Sequence, residues 1–112
     1  MHLSYKDINV REYCNSLNTN TSKTPFSIEE IMNIRAHVAD LRAAPKLADV
    51  PMAYKIFQTS NSQSKVVIEF DQIKIICLVH SLLSNPNADK ISRLQIVDIV
   101  KTDLQIEELK SF

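Results

Sequence analysis

Glycine is absent from all 112 residues. Glycine-rich phosphate loops of the P-loop and dinucleotide types are therefore excluded, because both need backbone that only glycine supplies. Every turn must be made by Asn, Asp, Ser or Pro. Net charge is also absent, since thirteen basic side chains balance thirteen acidic ones. That balance argues against binding of nucleic acid by bulk charge, and a local patch is left open. Cysteine is scarce, and Cys14 and Cys77 lie in apolar runs without metal-like spacing. They are expected to be buried free thiols of a reducing, cytoplasmic environment. No run of eighteen apolar residues exists, and Lys6 and Asp7 interrupt the start, so neither a membrane span nor a signal peptide is expected. No cofactor or metal is implied.

What is present is 45% hydrophobic residues, enough for one domain over 1–112 with a real core. The organising stretch is Lys65 to His80. Val66, Ile68 and Phe70 alternate, and Ile73, Ile75, Cys77 and Val79 alternate after a break. A β-hairpin turning at Asp71-Gln72 sets Phe70 opposite Ile73, Ile68 opposite Ile75 and Val66 opposite Cys77. The same register sets Glu69 opposite Lys74 as an opposite-charge pair. Asp-Gln is not the Asn-Gly or Asp-Gly of tight hairpins. The alternative is a helix over 72–84 capped by Asp71.

Upstream, Met1 to Tyr5 reads as an edge strand, Asp7 to Leu17 as a helix, and 18–24 as a mobile polar loop. Ser27-Ile-Glu-Glu30 is a capping box, with Phe26 and Ile31 as its hydrophobic staple. The helix it starts runs to about Ala43, with Ile28, Ile31, Ile34, Val38 and Leu41 as the buried stripe. Pro45 stops it. Lys46 to Pro51 is a connector, and Tyr54 to Phe57 a strand or helical turn. Thr59 to Ser64 and Ser84 to Asp89 are loops. Leu94 to Val100 is a central strand or, on its periodicity, a helix. Residues 102–112 form a tail or short helix. The expected order is strand, helix, helix, then three or four antiparallel strands. This is an α+β fold with two N-terminal helices on a 3–5 stranded antiparallel sheet.

In order along the chain, four pieces resemble the HigB-type (plasmid-maintenance killer) toxins of the RelE/ParE superfamily. Met1-His-Leu-Ser-Tyr-Lys-Asp7 looks like the family's first strand, and Asp40-Leu-Arg-Ala-Ala-Pro-Lys-Leu-Ala-Asp-Val50 like the end of its second helix and following turn. Phe70-Asp-Gln-Ile-Lys-Ile75 resembles its Asn-Asp-Gln-Trp-Arg-Ile hairpin turn. Gln95-Ile-Val-Asp-Ile99 is similar to its final strand. The resemblance implies a RelE-like fold and a toxin that cuts mRNA on the ribosome without metal, neutralised by a cognate antitoxin protein. It implies Lys74 and Lys65 as phosphate-holding groups, with Asp98 or His80 assisting proton transfer. The family arginine falls on Lys74, its turn tryptophan on Ile73, its basic loop on Asn61 to Lys65, and its terminal Tyr-His on Ile99 and Val100. These departures imply weakened or lost cleavage.

Blander roles stand beside these. Lys74 can simply pair with Glu69, Lys65 can be a solvated loop lysine, and His80 a lone histidine at a strand end. Asp98, in an apolar strand, is either turned to solvent at an edge or part of a site. Two further function classes are carried: a non-catalytic binding module on the same fold, and an all-helical, degenerate EF-hand-like interaction protein. The latter would use Asn85, Asn87 and Asp89, without the loop glycine such sites require.

Overall fold

In a computed structural model, residues 1–15, 26–58, 63–79 and 87–102 are described below. Five strands form one sheet: β1 (His2–Tyr5), β2 (Ala53–Gln58), β3 (Ser64–Phe70), β4 (Ile73–Val79) and β5 (Arg93–Lys101). Two helices, α1 (Ile8–Asn15) and α2 (Ile28–Ala43), lie between β1 and β2 in sequence. The strand order is β1-β5-β4-β3-β2. The fold is α+β.

The sheet is mixed, which corrects the antiparallel expectation. Strands β2 to β5 form an antiparallel meander, but β1 runs parallel to β5, with Leu3 beside Leu94 and Tyr5 beside Ile96. The connection between these two parallel partners holds both helices and the strands β2, β3 and β4, far more than the roughly dozen residues a parallel pair needs.

The β3–β4 hairpin has the expected register, with Val66, Ile68, Glu69 and Phe70 opposite Cys77, Ile75, Lys74 and Ile73. Residues 73–79 are strand, so the helical alternative fails there. Asp71 takes a left-handed φ of 52° at the turn. With no glycine available, aspartate is among the residues that tolerate this best. Its carboxylate accepts from Asn33 Nδ2 at 3.0 Å, which ties the turn to α2.

Helix α2 begins at the expected capping box. Ser27 Oγ accepts from the Glu30 amide, and Glu30 Oε1 accepts from the Ser27 amide. Ile31, Ile34, Val38 and Leu41 are buried, but Ile28 is 55% exposed and leaves the expected stripe. At ~100° per residue, its direction lies about 100° from the centre of the other four. Those four pack into one core with Val66, Ile68, Ile73, Ile75, Cys77, Leu94 and Ile96 from the inner face of the sheet.

Tyr54 to Phe57 is strand, within β2, and Leu94 to Val100 is the inner strand β5. Strand β5 carries an irregularity: Cys77 faces Ile96 and Ile76 faces Asp98, leaving Val97 as an extra residue. Ile96 and Ile99 are three apart, so a regular strand would turn one outward. The bulge turns both inward and presents Asp98 to solvent. The sheet also overturns the all-helical architecture. No described helix is long and apolar enough to cross a membrane.

Removing the fully buried Ile34 side chain by Ile34→Ala should cost roughly 2–5 kcal/mol, and Ser27→Ala about 1 kcal/mol, in urea unfolding. The Glu30 carboxyl is held below its ordinary range chiefly by the Ser27 amide, against the opposing effect of desolvation, with Lys101 adding a further lowering. Its stabilisation is present above the usual glutamate range and is lost as pH falls through the lowered value. Acid unfolding of Glu30→Gln should therefore show a shallower pH dependence than the parent.

Candidate functional site

Alternation along the strands gives the sheet two unlike faces. The inner face carries the core, and both helices contribute to that core. On the other face stand Lys55 and Phe57 of β2, Lys65, Val67 and Glu69 of β3, and Lys74, Ile76 and Leu78 of β4. Strand β5 adds Arg93, Gln95, Asp98 and Val100, and β1 adds His2 and Ser4. No described helix lies against this outer face.

The centre of the outer face is apolar. Val67 is buried between Lys55 and Ile76, its partners on the two neighbouring strands. The outer face carries four basic side chains, Lys55, Lys65, Lys74 and, at its far end, Arg93, against two acidic ones, Glu69 and Asp98. A chain that is neutral overall thus carries a positive excess on this face.

Of the residues singled out from sequence, Lys74 and Asp98 come together. Lys74 lies opposite Val100 and Asp98 opposite Ile76, so the two are diagonal neighbours on adjacent strands. Such neighbours stand about 7–8 Å apart. Lys74 also lies opposite Glu69, but the two form no ion pair. The expected cross-strand placement of the two charges is present, and among the described residues no carboxylate comes within ion-pair distance of Lys74. Asp98 is exposed on an inner strand, neither at an edge nor buried, and its Oδ1 accepts from the Ile99 amide at 2.9 Å.

Lys65 stands further off, and not in a loop. It belongs to β3 opposite Leu78, four residues along β4 from Lys74. That is about 13 Å of strand, too far for both ammonium groups to centre on one phosphate. Its Nζ lies 5.6 Å from the centroid of the Phe57 ring. His80 lies outside the described residues, as do the expected loop at 18–24 and tail over 103–112.

His2, Ser4, Arg93 and Leu94 line a shallow groove where β1 meets β5. Arg93 is five residues from Asp98 along β5, so this groove is separate from the Lys74–Asp98 pair. His37, expected at the surface, stacks on Phe70 at 3.7 Å and 6°, on the helix side of the sheet. Its Nδ1 donates to the Asn33 carbonyl at 2.8 Å. Among the described residues no group of three His, Cys, Asp or Glu side chains could hold a metal.

Phe57, Lys55 and Arg93 were not legible as site residues. The Lys55/Phe57 alternation against Tyr54/Ile56 was the available signal, and it needed the strand assignment of β2 first.

No family model, curated protein or solved structure gives a significant match to this chain.

Both cysteine thiols are buried in the core, and that burial pushes each up to about 12, for Cys14 against the lowering influence of Arg42 and Arg35. The thiolate is the reactive form. Iodoacetamide at pH 8 should therefore leave the native protein unmodified by mass spectrometry and label both positions once urea unfolds it.

Proposed function

We propose that this chain is a RelE/HigB-like toxin whose outer sheet face engages single-stranded mRNA on the ribosome, with a cognate antitoxin as its partner protein. The observation that carries this is the pairing of an unneutralised Lys74 with a solvent-turned Asp98 on a face of positive excess. The succession β1, α1, α2 and then a meander agrees with the order of the resembling segments. Fold alone is a weak warrant for activity, so the weight rests on the site.

The chemistry at that pair is transfer to the neighbouring 2′-oxygen. Asp98 takes the proton of the 2′-hydroxyl as the O2′–P bond forms. The P–O5′ bond then breaks, and the departing 5′-oxygen collects a proton from water. Lys74 sits where negative charge gathers on the phosphoryl oxygens, and a fixed cation there lowers the barrier. Lysine keeps the charge of arginine without its bidentate fork. Lys65 meets a phosphate further along the strand.

Overexpression should arrest growth and cut transcripts, and Lys74→Ala should reduce cutting by roughly 10- to 100-fold, the loss of one charge-assisted contact. Asp98→Asn should slow cutting by roughly 10²- to 10⁴-fold, the usual contribution of a positioned general base, in a single-turnover cleavage assay. In the purified protein, removing both Lys65 and Lys74 should lower the slope of log affinity against log salt by about 1.4, or ~0.7 per phosphate contact. Absence of both toxicity and RNA binding would reject the proposal.

The 13 Å between Lys65 and Lys74 favours a second reading, a module that binds without cutting. Its mark is salt-sensitive RNA or antitoxin binding, unchanged transcripts, and Asp98→Asn without effect.

A further inference from the structure

Among the described residues Phe57 is the one aromatic in the set of strongly exposed large apolar side chains, at 44% of its surface. It stands on the same outer face as Lys74, near the end of β2. Strand β2 is an edge strand, so no neighbouring strand flanks the ring on its outer side. On its inner side the directly opposed residue is Lys65, whose ammonium lies 5.6 Å from the ring centroid. No other ring or cation pairs with Phe57 among the described residues.

An exposed ring with a cation over one face, and no described residue paired with the other, is what an unpaired nucleobase recognises. Every base has a π-face, so stacking on an aromatic side chain is tolerant of sequence. The ammonium over the inner face of the ring adds positive charge for the phosphate attached to that base. Lys55, two residues before Phe57 on the same face, adds positive charge along the same edge.

We infer that Phe57 is a base-stacking platform for single-stranded RNA, with Lys65 holding the flanking phosphate. It lies about 13 Å of strand beyond the level of Lys74. This rests on the proposed engagement of RNA by the outer face. It adds a subsite that fixes where the strand enters, separate from Lys74 and Asp98.

The chain has no tryptophan, so Phe57→Trp installs a single fluorescent reporter at the platform. Oligouridylate should quench its emission, while inorganic polyphosphate, which offers charge without bases, should bind and leave it unquenched. Phe57→Leu should weaken oligouridylate binding about 5- to 150-fold, as loss of one base–aromatic stack does, and Phe57→Tyr should retain it. Unchanged circular dichroism for Phe57→Leu separates this from a folding defect. RNA binding that is lost in Lys74→Ala but unaltered in Phe57→Leu and silent in Phe57→Trp overturns the platform and leaves the proposed function standing. Failure of the parent protein to bind any oligouridylate overturns the platform, and joined to an absence of toxicity it overturns the proposed function as well.

Discussion

The structure depends on one packing contact: the buried stripe of α2 against the inner face of the β3–β4 hairpin. Ile34, Val38 and Leu41 on the helix meet a layer that includes Ile68, Ile75 and Cys77, and all six are fully buried. Burial of this apolar area is the main favourable term for a chain of this size. Both ends of the arrangement are pinned by polar contacts. Lys101 at the end of β5 pairs with Glu30 in the first turn of α2, at 3.0 Å. Arg42 in its last turn donates to the Tyr5 hydroxyl at 2.7 Å, tying in β1.

Because the helices spend their apolar surface on one side of the sheet, the other side is left to charge and scattered apolar groups. The bulge at Val97 sharpens that division. It takes Ile99 into the core and delivers Asp98 to the outer face, one diagonal step from Lys74. A carboxylate that looks misplaced in an apolar strand is thereby explained by geometry alone.

The hairpin was legible in the sequence because its two strands are adjacent and its alternation is strict. The cross-strand partners could be read off residue by residue, including Glu69 with Lys74. That those two form no ion pair was not legible, since register sets which residues face each other and not how long side chains settle. The α2 capping box was legible because all its atoms lie within four residues. The membership of Ile28 in the buried stripe was misread, because steps of three drift around a helix. The parallel partnership of β1 with β5 left no local trace, since its halves are about ninety residues apart. The bulge was hidden because Leu94 to Val100 is apolar on both faces, and only the competing demands of Ile96 and Ile99 reveal it.

That remote partnership sets an order of events in biosynthesis. Among the described strands β1 is translated first, yet its hydrogen-bonding neighbour β5 is the last of them to be made. Contacts this distant in sequence close late and slowly. While the chain emerges, the β2–β3–β4 meander can assemble, but its flank waits for β5, and β5 in turn must arrive before β1 can dock. Until then the nascent protein presents an unfinished sheet border, a state open to mispairing with other chains. A chaperone or partner that shields this border during synthesis would act on the molecule before its outer face is complete.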